Sequence, residues 1–221
     1  MRFKALDLFS CCGGAGRGIH DAGFEVVGVD VTNNHEYPYK FIHSDVFDLE
    51  RKFFDEFDFV WSSPPCQCYT WSTRKGREEK FPDLIDKTRK LLTEIGKPFV
   101  IENVVGAPLR KDLVLCGEMF KLRVLRHRIF EIHNFIVPKL KHVKHKPPID
   151  KGHSWYACVS GHGGDSYSFK FSDWCDAIDL YHIHNREHLA QAVPPAYSRY
   201  IANFVMRSPD SILAIKSARA R

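Results

Sequence analysis

No apolar run in this chain approaches the ~20 residues that a membrane-spanning helix needs, which excludes a reading as a membrane protein. No cleavable-signal pattern is visible, because Arg2-Phe3-Lys4 leads straight into an apolar strand. No Gly-Lys-Ser/Thr closes a P-loop, and Gly-x-Gly-x-x-Gly is not cleanly present, so neither standard phosphate fingerprint applies. Internal repeats are missing, which excludes a solenoid. Charge of one sign is scarce: 32 Lys and Arg against 27 Asp and Glu leave +5, only a mild lean toward an anionic partner. Seven cysteines, odd in number and scattered, make no disulfide framework. Free thiols in a reducing cytoplasm are the expectation.

The 221 residues, 44% hydrophobic, suffice for one domain or one domain with an insert. Short apolar runs alternate with helical stretches through the first hundred residues. Strands are predicted at Ala5–Phe9, Glu25–Asp30, Phe41–Asp45, Phe57–Trp61 and Pro98–Ile101. Helices are predicted through about Ala22 and over Leu84–Ile95. A β-α-β-α series of this kind resolves into a doubly wound, mostly parallel α/β sheet. Ligands bind such sheets beyond the carboxyl ends of the strands, where Asp30, Asp45, Cys66 and Glu102 all fall. Periodicity weakens after His133 and returns near Ser172, and Arg186 to Met206 reads as helix, Pro-Pro, helix. The expected organisation is a core over 1–132, a short basic recognition region over 133–181, returning helices over 182–206 and a tail over 207–221.

Three motifs carry chemistry. Asp7-Leu8-Phe9-Ser10-Cys11-Cys12-Gly13-Gly14 makes a glycine turn after the first strand, and Asp30 is placed to accept ribose hydroxyls. That pairing suits a nucleoside cofactor, although packing glycines alone explain the turn equally well. Pro64-Pro65-Cys66-Gln67 holds a thiol on a stiffened loop, a candidate nucleophile. Glu102-Asn103-Val104 offers a carboxyl at a strand end, able to manage protons if burial raises its pKa. Arg126 and Arg128, on alternate positions, can face one pocket. Between Lys121 and Gly152 stand nine Lys or Arg, two acids and four histidines, a local positive density suited to phosphate backbones or to a solvated loop. Cys66 and Cys68 make a Cys-x-Cys pair without a second pair to complete a zinc site. His133, His142, His145 and His153 match no standard finger. Cys11, Cys12, Cys116, Cys158 and Cys175 read as buried, inert thiols, and no metal is expected.

The order of these motifs, closed by Ala192-Val193-Pro194-Pro195, resembles the cytosine-5 DNA methyltransferase family, most nearly its compact, phage-type members. The resemblance runs from about Arg2 to Met206. It implies a Rossmann-like fold and S-adenosylmethionine as donor. Phe9 would pack on the adenine, Ser10 to Gly14 would cradle the amino-acid end, Asp30 would hold the ribose and Asp45 the adenine amine. Asp7, Val31, Val46, Pro64, Gln191 and Ala192 complete the implied donor pocket. Cys66 would attack C6 of a cytosine flipped out of double-stranded DNA. Glu102 would hold N3 and the exocyclic amine, Arg128 the O2, and Arg126 would position the loop. Pro65, Gln67, Asn103, Lys139, Lys141 and Lys144 would contact nucleic acid.

Two departures stand out: Cys11 occupies a place where the family usually has Gly, and Ala190-Gln191 replaces a usual Gly-Asn. A modified donor such as a carboxylated S-adenosylmethionine is therefore an alternative, as are a tRNA cytosine substrate and an inactive DNA-binding relative. A short site is expected, a G-C dinucleotide by analogy, read through Lys139–Lys151 and Gly161–Asp165 by a monomer. Restriction protection, host evasion and supply of 5-methylcytosine for later modification all suit such an enzyme.

Overall fold

The structure is a computed structural model, described for residues 3–70, 81–142, 144–145, 156–157, 159 and 169–207. Its centre is a seven-stranded sheet. In chain order the elements are β1 (Lys4–Leu8), α1 (Gly14–Asp21), β2 (Glu25–Asp30), β3 (Lys40–His43), β4 (Phe59–Ser62), α2 (Ile85–Ile95), β5 (Phe99–Asn103), β6 (Leu113–Leu115), β7 (Arg128–His133), α3 (Phe171–Ile178), α4 (Arg186–Gln191) and α5 (Pro195–Arg207). The sheet order is β3-β2-β1-β4-β5-β7-β6. β1 to β5 run parallel, while β7 pairs antiparallel with both β5 and β6. The expected doubly wound, mostly parallel sheet is therefore what forms.

Alternating side chains explain why both faces are covered. Ala5, Val26, Phe59, Trp61 and Val100 point to one face and meet Ile19 of α1 and Tyr197, Ile201 and Val205 of α5. Leu6, Leu8, Val27, Val29, Val60 and Ile101 point to the other and meet Ile85 and Leu92 of α2 with Phe54 and Phe57. These runs are near-continuously apolar because each strand is buried on both sides. Each fully buried Leu, Ile or Phe stabilises the fold by about 1.5–3 kcal/mol. α1 and α5 pack so closely that a Cβ at Gly18 would stand 2.0 Å from the Pro195 carbonyl oxygen. No other residue fits there.

The sequence-derived strands lie within two residues of the observed ones. The pair β6 and β7 is a finding of the structure: β7 lies between β5 and β6, so that Glu102 pairs with Phe130 and Asn103 with Ile129. This brings Arg128 beside the end of β5. α3 falls inside the expected recognition region, yet Trp174, Ala177 and Ile178 pack with Leu189 and Ala190 of α4 and with Cys12 of the glycine turn. Asn185 caps α4, its side-chain oxygen accepting from the Glu187 N–H at 2.7 Å. No described helix is long and apolar enough to cross a membrane.

Candidate active site

β4 ends at Ser62, and the chain passes through Ser63, Pro64 and Pro65 into Cys66, which opens one short turn of helix at Gln67–Tyr69. The neighbouring strand β5 supplies Glu102 and Asn103 at its carboxyl end. Asn103 fastens the two together. Its side-chain N–H donates to the Pro64 carbonyl at 2.8 Å, and its side-chain oxygen accepts from the Val104 N–H at 2.9 Å. The loop bearing the thiol is thus held to the strand bearing the carboxyl by a buried bond. Asn103, expected to touch substrate, is seen here bonded to the peptide two residues before Cys66.

Glu102 is 6% exposed and pairs with Arg128, 13% exposed, at 2.9 Å between Oε1 and Nε. Burial pushes the Glu102 carboxyl above its ordinary range, although Arg128, a hydrogen bond from Ser63 and the charge of Arg126 oppose it. A carboxyl raised in this way takes up a proton more readily than a solvated one. Burial likewise pushes the Cys66 thiol up, and Glu102 adds to this, while Arg128 and Arg126 pull it down. The resting nucleophile is therefore a thiol, and the two arginines are what favours its ionisation.

Arg126 is held by two carbonyl oxygens and one hydroxyl from three different parts of the chain. It donates to Val159 at 2.8 Å and to the carbonyl of Ala190, and its own carbonyl accepts from the Tyr197 hydroxyl at 2.7 Å. Burial and the Arg128 charge push its guanidinium down to about 9, still cationic at neutral pH. Ala190, one of the two departures from the family pattern, is thus an anchor for Arg126 through its backbone. Ser63 and Trp61 were not foreseen: the Trp61 indole N–H donates to Ser63 Oγ at 2.9 Å, and Ser63 in turn bonds Glu102. An apolar strand gives no signal of such a relay.

The donor side lies around β1, β2 and α1. The backbone carries left-handed residues at Phe9 (φ +56°), Cys11 (φ +45°) and Gly13 (φ +83°). Asp30 organises this turn: Oδ2 accepts from the Cys11 N–H and Oδ1 from the Thr32 N–H, both at 2.9 Å. Asp45 accepts from the Phe47 N–H at 2.9 Å, and Phe9 meets Phe47 edge-on at 6.2 Å. Gly14 touches the late motif, since a Cβ there would be 2.5 Å from the Val193 carbonyl oxygen and 3.0 Å from Ala192. Val31 is exposed, Val46 and Pro64 are buried, and Gln191 points to the surface. Asp7 is buried, raised well above the usual carboxylate range by desolvation, and accepts from the Tyr37 hydroxyl at 3.2 Å. Tyr37 was not foreseen, nor were Glu36 and His182. Glu36 accepts from the His184 N–H at 2.6 Å and faces His188 Nδ1 at 2.5 Å, and His182 Nε2 lies 2.8 Å from the Cys12 carbonyl.

Among the described residues, Asp7 Oδ1 and Ser10 Oγ are buried without a hydrogen-bond partner. Buried polar atoms normally have one. Two orphans beside a glycine cradle and an acid at the end of β2 fit a polar nucleoside-type donor. Lys139, Lys141 and Lys144 are exposed on the segment after β7. Gly161–Asp165 and the region 146–151 expected to read a target, like the tail 208–221, lie outside the described residues.

A thiol, a buried carboxyl and two arginines at the ends of β4, β5 and β7, beside a donor cradle, define a group-transfer enzyme on a Rossmann-like sheet. The model of the C-5 cytosine-specific DNA methylase family matches residues 3–113, half of the chain, and the chain belongs to that family. Enzymes of this family methylate cytosine at C5 with S-adenosylmethionine as donor, and that is the donor here. No curated protein matches the sequence. Among solved structures, Entamoeba histolytica methyltransferase EhMeth is similar in fold at a TM-score of 0.62 and 11% identity, over 94% of this chain and 98% of that one. A triple mutant of Spodoptera frugiperda DNMT2 aligns at 0.44 with 20% identity over 72% of this chain, and S. pombe Dnmt2 at 0.43 with 20% over 60%. The chain spans 58% and 49% of those two proteins.

Proposed function

We propose that this protein methylates C5 of cytosine in double-stranded DNA through a covalent bond between Cys66 and C6 of a flipped base. The observation that carries the reading is the convergence of Cys66, Glu102, Arg128 and Arg126 on one pocket, locked by the Asn103–Pro64 bond. A duplex hides C6 and C5 within the stack, so the base must leave it, at a cost of a few kcal/mol offset by protein contacts.

Glu102 takes up a proton as the cytosine binds, hydrogen-bonds N3 and the amine of the base, and gives N3 that proton as the thiol, losing its own to water, bonds C6. The ring then has an enamine at C5, a nucleophile that the free base lacks. When bound, S-adenosylmethionine would supply an electrophilic methyl group. Phe9, Asp30, Asp45 and the turn from Ser10 to Gly14 are the residues placed to hold it. After C5 is methylated, its proton passes to water, the C6–S bond breaks to release the Cys66 thiolate, which takes a proton back from water, and N3 returns its proton to Glu102. Arg128 neutralises charge on both the carboxylate and the base O2, and Arg126 fixes the walls. Lys139, Lys141 and Lys144 meet phosphates, so weaker binding with rising salt is expected.

Purified protein is incubated with unmodified duplex DNA, or with tRNA, and S-adenosylmethionine, and the digested nucleosides are weighed by mass spectrometry. A 5-methyldeoxycytidine peak supports the reading. Product in tRNA alone moves the substrate to RNA, and a heavier, carboxylated adduct moves the donor. No modified cytosine in either nucleic acid overturns the proposal.

A further inference from the structure

Behind the catalytic arginines, four potential ligand atoms meet. Cys116 follows β6, His127 stands between Arg126 and Arg128, and His142 and His145 lie in the basic segment after β7. One ligand atom from each lies within 4.8 Å of all the others. His127 Nε2 is 2.9 Å from His142 Nε2 and 3.1 Å from His145 Nε2, and His145 Nε2 is 3.7 Å from Cys116 Sγ. A tetrahedral zinc with ordinary bond lengths spaces its nitrogens about 3.3 Å apart and a nitrogen and sulfur about 3.6 Å apart. The two N···N edges are a few tenths of an ångström shorter than that and the N···S edge is slightly longer, so small side-chain shifts admit the ion.

A shared cation also satisfies the contacts among the imidazoles. His145 Nδ1 faces Glu118 Oε2 at 2.5 Å, and a neutral ring that donates from Nδ1 to this carboxylate has a lone pair on Nε2. His127 Nε2 lies between that lone pair and His142 Nε2. If His127 Nε2 carries a proton, it satisfies His145 and leaves the His142 contact without one unless the proton is shared. If it does not, two lone pairs face each other at 3.1 Å. No set of neutral imidazoles makes both contacts straight hydrogen bonds, whereas a divalent cation is ligated by every Nε2 at once. Glu118 also accepts from the Tyr156 hydroxyl at 2.6 Å, so it is a fixed outer carboxylate that orients His145.

We propose that Cys116, His127, His142 and His145 bind a structural zinc ion, with Glu118 as the carboxylate behind His145. Four protein ligands close the site and leave no position for substrate, so the ion is a staple and not a catalyst. Binding releases the Cys116 thiol proton, which in the metal-free form is donated toward the Leu125 carbonyl at 3.4 Å. The staple ties three parts of the chain: the end of β6, the peptide carrying both active-site arginines, and the segment bearing Lys139, Lys141 and Lys144. It supplies from outside the core the order that this short basic segment has little apolar surface to generate. A soft thiolate with three imidazoles in tetrahedral array favours zinc over magnesium or calcium.

The full chain is expressed in zinc-supplemented medium, dialysed, and measured by elemental mass spectrometry. About one zinc per chain is expected in the wild type, and well under a quarter of that in Cys116→Ser and in His142→Ala. His142 is exposed, so its variant keeps the test open if Cys116→Ser does not fold. Glu118→Gln keeps the ion but yields it to a chelator about 10–100-fold more readily. Cobalt exchanged into the wild type gives tetrahedral ligand-field bands and a thiolate charge-transfer band, and the latter disappears in Cys116→Ser. Wild-type protein with only traces of metal, whose melting temperature does not rise when zinc is returned after chelation, overturns the proposal. A cobalt spectrum without a thiolate band overturns it equally.

Discussion

Replacing Arg128 with methionine strands Glu102, and the consequence depends on pH in a way that can be worked out. The pair stands at 2.9 Å with its side chains 13% and 6% exposed. Removing one partner of a buried pair costs about 3–5 kcal/mol as long as the remaining charge persists. Glu102 has an escape, which is to take up a proton. Burial already holds its carboxyl above the usual range, and Arg128 is the strongest influence in the other direction. Without Arg128 the folded pKa rises further. A carboxyl raised in the folded state binds a proton that the unfolded chain gives up. Its contribution is therefore fully present below the unfolded pKa and is lost as pH rises through the folded one, by up to about 1.4 kcal/mol per pH unit. Urea unfolding from about pH 5 to about pH 8 should show Arg128→Met close to wild type at the acid end and falling behind steadily toward the alkaline end. Arg128→Met with Glu102→Gln should recover most of the alkaline deficit and flatten the profile. A deficit that does not change with pH, or a double variant no better than the single one, would refute the reasoning.

Further outcomes follow from the same geometry. Asn103→Ala should lose about 1–3 kcal/mol of stability and lower kcat while donor affinity, measured by calorimetry, stays unchanged, because only the Cys66 loop is released. Cys11→Gly relieves a left-handed residue worth about 1–2 kcal/mol against an unfolded-state entropy of up to about 1 kcal/mol, so its Tm should be equal or higher. A clear fall in Tm would show that the Cys11 thiol itself holds the turn. Gly14→Ala pushes a methyl into the Val193 carbonyl and should weaken donor binding, with a loss of about 1–3 kcal/mol in denaturant unfolding.

The parallel half of the sheet was legible because its strands are buried on both faces, which leaves unbroken apolar runs between turn residues. Cys66 and Glu102 could be placed at strand ends for the same reason. β6 and β7 were harder: three residues of β6 give no period, and the antiparallel insertion of β7 between β5 and β6 is a property of pairing, not of local pattern. Asn103 shows the limit for single residues. Its type and place in the motif pointed to substrate, and the 2.8 Å contact with Pro64, which ties β5 to the Cys66 loop, had no signal in the sequence. The metal-ligand cluster was invisible for a different reason. Cys116 read as an inert buried thiol, and His142 and His145 matched no finger when grouped with His133 and His153. His133 instead faces Glu131 at 2.8 Å and stacks on Phe99 at 4.1 Å. The true neighbours, Cys116 and His127, are brought to the cluster by the β6–β7 hairpin.

The central claim is the bond between Cys66 and C6, and the most direct test traps it. A duplex carrying 5-fluorocytosine blocks the last step, because fluorine cannot leave C5 as the proton does. Protein, this duplex and S-adenosylmethionine should give a denaturation-resistant complex whose intact mass is the sum of chain, DNA strand and one methyl group. The adduct should map to the peptide containing Cys66 and be missing in Cys66→Ser. A complex that forms equally well in Cys66→Ser, or no complex from protein that methylates ordinary cytosine, would contradict the account.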